Sequence, residues 1–239
     1  MQANYNILKI ILVVLLVTGL YAFSSFKSME RKPTIMNVIF QGSENLYITE
    51  AAVNKLLIQN NQHVTSMAKE TLDLNELETV LRNNAMVKSA EIYLTVNNEV
   101  NVEVKQRKPI ARIVSGEQYY IDDEGKRMPL SENRTARVPL VTGNMQNKHI
   151  ADVYFVANEI QKDDFLKKNV VEIEVNDKKG LLLKMRNQIF EVQLGGLVHF
   201  SRKINNLKAF YQKLKKDKSY DLYTKVNLQF EDQVVCTKK

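Results

Sequence analysis

The sequence is poor in the residues that carry chemistry. It holds one cysteine and three histidines in 239 residues. A single thiol, Cys236, allows no disulfide within the chain, and a domain with a proper core needs none. Cys236 follows Val234 and Val235 in an apolar run, which reads as a packed thiol. The histidines His63, His149 and His199 fall in three separate regions, none with a Cys, Asp or His partner at metal-ligand spacing. There is no Gly-x-Ser-x-Gly elbow, no phosphate-binding loop and no Gly-x-Gly-x-x-Gly. Asp122-Asp123-Glu124 is an acidic cluster, but Gly125 behind it makes it a turn. Asp163-Asp164 reads as solvated helix surface. The expectation is therefore no catalytic residue, no metal ligand, no cofactor and no small-molecule substrate.

What is present is ordinary globular material, 44% hydrophobic and 26% charged, with a net charge of +7. Repeats and low-complexity stretches are absent, and two small domains plus a short anchor fit the length. The lysines are spread along the chain except for a concentration between Lys203 and Lys218. A solvated surface explains that charge most simply; nucleic acid, anionic lipid or an acidic partner are the sharper readings. The basic stretch lacks interleaved exposed aromatics and no DNA-binding motif appears, which argues against nucleic acid.

From Ile7 to Phe23 nearly every residue is apolar, with one charge, Lys9, near the start. That length just suffices to cross a bilayer, and Tyr5 and Tyr21 stand near its ends, where interfacial aromatics belong. Ala22-Phe23-Ser24 also offers a small-x-small cleavage pattern, but the run is long for a signal-peptide core. The anchor is placed at 7–26, after a short N-terminus at 1–6. The N-terminal side carries the α-amino group and Lys9, and the other side Lys27, Arg31 and Lys32, so charge alone gives no orientation.

Beyond Pro33, the segment Ile35–Gln41 reads as a strand stopped by Gly42. Thr49 caps a helix carrying Ala52, Val53, Leu56 and Leu57, and Asp73 with Glu76 opens a second helix. Ile92, Leu94 and Val96 then alternate with polar residues, as do Val100, Val102 and Val104, with Asn97-Asn98 between them as a tight hairpin. The order β-α-α-β-β over 33–114 predicts a POTRA-like domain, one sheet face covered by two helices and the other open; a generic α+β domain of the same order is the plainer reading.

A second domain, 116–230, is expected to be mixed α/β with an antiparallel sheet. Its elements are a helix over 150–165, strands around 171–175, 181–185 and 189–194 with turns at Asn176–Gly180 and Asn187-Gln188, and a helix over 200–216. The stripe Phe200, Ile204, Leu207, Tyr211, Leu214 faces the core of that last helix, and Lys203, Lys208, Lys213 and Lys215 lie off it. The final strand is Tyr223-Thr224-Lys225-Val226-Asn227-Leu228-Gln229-Phe230, with a tail at 231–239.

Several of these segments together resemble the FtsQ/DivIB family of bacterial cell-division proteins, in its Bacteroidetes-type form. The hairpin exit Val102-Glu103-Val104-Lys105-Gln106-Arg107-Lys108-Pro109-Ile110-Ala111 is similar to the end of the family's POTRA domain. Tyr120-Ile121-Asp122-Asp123-Glu124-Gly125 is similar to its strand-and-turn segment. Pro139-Leu140-Val141-Thr142-Gly143 resembles its Leu-Pro-x-aliphatic-x-Gly segment, with Val138 for the first Leu, and Tyr223 to Cys236 resembles its last strand and tail. Ala85-Met86-Val87 departs from the family's Pro and aromatic before the hairpin, and Asn97-Asn98 from its turn proline.

The resemblance implies a non-enzymatic divisome scaffold in the cytoplasmic membrane, with the N-terminus inside and the later domains periplasmic, at the septum where peptidoglycan is made. It implies FtsB/FtsL-like partners docking on the strand near the C-terminus. That role is assigned to Tyr223, Thr224, Lys225, Val226, Asn227, Leu228, Gln229 and Phe230 as an edge strand that accepts a partner's strand; an interior strand that completes the sheet is the plainer reading. The alternative function is a POTRA-type binding module of an outer-membrane assembly or secretion system, although such chains usually continue into a long membrane barrel.

Overall fold

The computed structural model describes residues 2–29, 36–42, 47–60, 73–97, 99–186, 188–230 and 233–239. Its contacts divide the chain into two compact units, Met1–Gln106 and Arg107–Lys239.

The first unit begins with helix α1, Gln2–Met29. The side chains described on it run from 9 to 25, and the apolar ones from Ile10 to Phe23 lie exposed. Among the described residues no helix is both long and apolar enough to cross a membrane. The segment 7–26 expected to span the membrane lies within α1.

Strands β1 (Met36–Gln41), β2 (Val87–Leu94) and β3 (Val100–Gln106) form one sheet in the order β1-β3-β2. β1 runs parallel to β3 and β2 antiparallel to it. Helices α2 (Glu50–Asn60) and α3 (Leu74–Arg82) cover one face. Thr49 Oγ1 accepts from Ala52 N at 3.2 Å, and Asp73 Oδ1 accepts from Asn75 N and Glu76 N at 3.0 and 3.1 Å. Both predicted caps are in place, so orphan helix N–H groups find partners where Thr and Asp stand. Val53, Leu57, Leu77 and Leu81 meet Ile92, Val100, Val102 and Val104 in the core. The other face carries Asn37, Ile39, Gln41, Glu91, Tyr93 and Lys105, all exposed. This is the one-face-covered sheet that the alternation in β2 and β3 predicts. His63, between α2 and α3, and Asn98, in the hairpin turn, lie outside the described residues; Thr95 N donates to Glu99 O at 2.9 Å and closes the turn.

Among the described residues, the second unit is one sheet of nine strands, β12-β11-β10-β9-β8-β7-β4-β5-β6. These are β4 (Pro109–Ile113), β5 (Tyr119–Asp122), β6 (Arg127–Met128), β7 (Leu140–Gly143), β8 (Val170–Asn176), β9 (Gly180–Met185), β10 (Glu191–Gly195), β11 (Tyr223–Asn227) and β12 (Val235–Lys238). Helices α4 (Ile150–Lys162), α5 (Asp164–Asn169) and α6 (Phe200–Asp217) supply the rest. The sheet is mixed. The expected antiparallel pairs are there, but β4–β7, β7–β8 and β10–β11 are parallel.

Three expectations need correction here. The boundary between units falls at Gln106/Arg107, not near Val114–Gly116, because β4 pairs with β5 and β7 and so belongs to the second unit. The helix expected over 150–165 breaks at Asp163. Its carboxylate accepts from Phe165 N and Leu166 N, both at 3.0 Å, and so caps a new helix, α5. Asp163 is also ion-paired with Lys208 of α6, so it is a joint between helices and not solvated surface. Lys203, expected off the core stripe, is only 7% exposed. Its ammonium reaches back to Leu194 O at 3.0 Å and Gly196 O at 2.7 Å, and burial holds its pKa below the usual lysine value.

Candidate partner-docking edge

Register fixes what the end of the large sheet presents. β11 lies between two strands. In parallel register with β10, Lys225 stands opposite Glu191, Val226 opposite Val192 and Asn227 opposite Gln193. On its other side it pairs antiparallel with β12, Val226 opposite Cys236 and Asn227 opposite Val235. Val226 is fully buried, and Leu228, just past the strand, donates N–H to Gln193 O at 2.9 Å. Gln229 follows, its Oε1 accepting from Gln193 Nε2 at 3.0 Å. Phe230 lies outside any strand, 46% exposed.

The assignment of Tyr223 through Phe230 as an edge strand is therefore overturned at the level of topology. The strand completes the sheet interior, and the terminal position belongs to β12, inside what reads in sequence as a tail. Three residues of the assigned stretch, Leu228, Gln229 and Phe230, are not in β11 at all. The sequence signal for β12 is slight: Val234-Val235-Cys236-Thr237 is a short β-branched run with little alternation to mark it as a strand.

β12 has β11 on one side and, among the described residues, no strand on the other. A terminal strand keeps a row of backbone N–H and C=O groups on its outer side, the template for strand addition. Val235 is 42% exposed, and Thr237 and Lys238 are exposed, so its ridge is open to solvent. Cys236 points the other way and packs, half-buried, against the core. Burial pushes the Cys236 thiol up, opposed by the positive field of Lys213 on α6. Exposed Lys213, Lys238 and Lys239 and the half-buried Lys225 surround this end. Leu222, just before β11, is 53% exposed and accepts from Lys239 N at 3.0 Å.

Charge also knits the strands toward this edge. Across the sheet the register sets Glu172, Lys184, Glu191 and Lys225 side by side, a cross-strand row of alternating sign. Lys184 Nζ lies 2.7 Å from Glu172 Oε1. For Glu172, burial raises the carboxyl pKa, but hydrogen bonds from Lys184 and Thr142 outweigh it and leave the pKa below the ordinary value.

The other residues weighed in the sequence fall elsewhere. Asp122 is fully buried; its Oδ2 meets Arg107 Nη1 at 2.7 Å and its Oδ1 accepts from Glu124 N and Lys126 N. Gly125, at φ +76°, turns the chain there. The acidic cluster is a turn locked by a buried ion pair. His149 Nδ1 accepts from Gln146 N at 3.3 Å, and its Nε2 stands 3.8 Å from Asp177 Oδ1 beside a cavity of 310 Å³. His199 starts α6 with φ +55°. Among the described residues no group of three His, Cys, Asp or Glu side chains is placed to hold a metal ion.

Among the described residues, a three-stranded sheet covered by two helices, followed in the chain by a larger mixed sheet with β12 at its end, is the order of a POTRA-like unit and a second α/β unit. The family described as "FtsQ/DivIB, C-terminal related" matches residues 108–237, and a POTRA-like domain matches 34–105. The chain belongs to the FtsQ/DivIB family. It is similar to the cell division protein FtsQ of Geotalea daltonii, 25% identical over 179 residues, covering 70% of this chain and 64% of that protein. It is also similar to the cell division protein FtsQ of Myxococcus fulvus, 32% identical over 83 residues, 34% of this chain and 29% of that protein. The chain thus spans less than two thirds of the length of these relatives.

Proposed function

We propose that this protein is a non-enzymatic scaffold of the division machinery, held in the cytoplasmic membrane by α1 with its N-terminus inside, which recruits FtsB/FtsL-like subunits to the septum and so helps assemble and regulate peptidoglycan synthesis there. The observation that carries this reading is β12: an exposed terminal strand at the end of the sheet, within the unit that matches the FtsQ/DivIB family. The docking element is Val235–Lys238, with Tyr223 through Asn227 behind it as the strand that holds it in register. The partner adds an extended strand, whose main chain supplies affinity and whose alternate side chains meet Val235 and Thr237. Lys213, Lys225 and Lys238 favour a strand with acidic flanks, which also speeds encounter.

The anchor rests on α1. A 28-residue helix is about 42 Å long at 1.5 Å per residue, and roughly 20 apolar residues cross a hydrocarbon core. Its apolar side chains from Ile10 to Phe23 are exposed on a helix that has no amphipathic break, which suits lipid better than water. The POTRA-like match at 34–105 also suits a binding module of an outer-membrane assembly or secretion system, the second reading; the FtsQ/DivIB match over the larger unit favours the first.

The test is co-purification from the native bacterium, with the tagged full-length protein cross-linked in cells. FtsB/FtsL-like subunits come down with the native chain and are lost from a Val235→Glu/Thr237→Glu variant of unchanged circular dichroism. Recovery of outer-membrane barrel components in place of division subunits would refute the scaffold role.

A further inference from the structure

The first unit has an edge strand of its own, β2, and it is not open. Among the described residues, β3 is the neighbour of β2 on one side and no strand lies on the other. On the other side, α3 delivers two side chains to the middle of the strand. Glu78 Oε1 accepts from Ile92 N at 2.8 Å, and Arg82 Nη2 donates to Ala90 O at 3.0 Å. Glu78 Oε2 and Arg82 Nη2 are themselves joined at 2.7 Å, one turn apart on the helix. Glu78 is mostly buried, its side chain 16% exposed, while Arg82 is half exposed. Residues two apart on a strand turn their outer N–H and C=O groups the same way, so Ala90 and Ile92 offer the neighbouring positions that an incoming strand would use first.

We infer that the Glu78–Arg82 pair is a cap that closes the edge of β2 against strand addition, and that withdrawing it opens this edge to a second β2-like strand. The carboxylate and the guanidinium imitate the C=O and N–H of a neighbouring strand at one acceptor and one donor position. Spacing on α3 sets the match, because residues 78 and 82 project from the same helix face. The cap prevents copies of the first unit from pairing through β2. A partner able to compete for the exposed Arg82 guanidinium would loosen the cap without unfolding the sheet.

The test uses the full-length chain in detergent micelles, with Glu78→Ala/Arg82→Ala beside Glu78→Gln. The glutamine amide oxygen still accepts from Ile92 N and Arg82 still donates to Ala90 O, so that variant keeps both contacts of the cap. Hydrogen exchange over residues 87–94 is followed by mass spectrometry. Binding of a fluorescein-labelled peptide with the β2 sequence KSAEIYLT is followed by anisotropy. The cap predicts exchange at Ile92 at least tenfold faster in the double variant, peptide binding gained by at least tenfold over the native chain, and Glu78→Gln close to native in both. Unchanged exchange in the double variant, with its circular dichroism intact, overturns the cap. Faster exchange without any gain in peptide binding overturns the closure against strand addition. If the double variant loses its circular dichroism, Arg82→Ala alone is read in the same two assays, with the smaller gain of one opened position expected and no gain in either overturning the proposal.

Discussion

Removing the carboxylate of Asp122 is expected to destabilise the second unit severely. Asp122 is fully buried and holds three partners: Arg107 Nη1 at 2.7 Å, Lys126 N at 2.7 Å and Glu124 N at 3.0 Å. Asp122→Ala takes the buried carboxylate away from a guanidinium that is itself only 16% exposed, and removes the acceptor of two turn N–H groups. Breaking one side of a buried pair costs about 3–5 kcal/mol, and each orphaned buried donor about 1–3 kcal/mol before water relaxes in. These overlap, so the expected loss is about 4 kcal/mol. With a urea slope of about 2 kcal/mol/M for a unit of this size, the midpoint falls by about 2 M. Asp122→Asn keeps an acceptor for the turn and should lose about half as much. The assay is urea unfolding of the full-length chain, following the transition of the second unit. A loss under about 1 kcal/mol for Asp122→Ala would mean that the pair and the turn do not hold β4 to β5, and the reasoning from burial would be wrong.

Other expectations follow from single positions. Gly143→Ala should cost at least about 2–3 kcal/mol in the same assay, since φ is +86° and a Cβ there would sit 2.2 Å from Val175 O, between β7 and β8. Gln106→Ala should destabilise the first unit by about 2–3 kcal/mol: its buried amide accepts from Tyr47 N and Ile48 N and donates to Ile48 O, and thermal unfolding would register the loss. Glu172 has a folded pKa below its unfolded 4.5. The unfolded chain therefore binds that proton more readily, and the stabilisation is complete above 4.5 and lost as pH falls through the folded value. Glu172→Gln should flatten the dependence of the unfolding midpoint on pH below about 4.5; an unchanged slope would contradict the linkage.

The legible parts of the fold are those in which neighbouring residues decide. Alternation in Ile92-x-Leu94 and Val100-x-Val102-x-Val104 marks β2 and β3, and Thr49 and Asp73 mark helix starts, because strand faces and caps are local physics. The stripe from Phe200 to Leu214 gives α6 almost to the residue. What was not legible depends on partners distant in sequence. The same alternation that reveals β11 says nothing of which strands flank it, since Val226 looks alike in an interior strand and at an edge. β12 is too short to stand out, and only its pairing with β11 makes it a strand. Asp163 reads as helix surface because its two roles, capping α5 and pairing with Lys208 45 residues on, lie outside any local window. The buried Lys203 is likewise unreadable without the carbonyls of Leu194 and Gly196 that receive its ammonium. The boundary at Gln106/Arg107 hides inside a run of charged residues, and it is set by Gln106 bonding back to Tyr47 and Ile48 while Arg107 pairs forward with Asp122.

The most direct test of the account is the place of contact. p-Benzoylphenylalanine would be introduced at Thr237 on β12, and separately at Thr224 on β11, in the full-length protein in native cells. Irradiation at Thr237 should give cross-links to an FtsB/FtsL-like subunit, abolished when the partner's docking segment is deleted, and Thr224 should give far less. Equal cross-linking at both sites, or none at Thr237 while the protein still supports division, would contradict docking at the β12 edge.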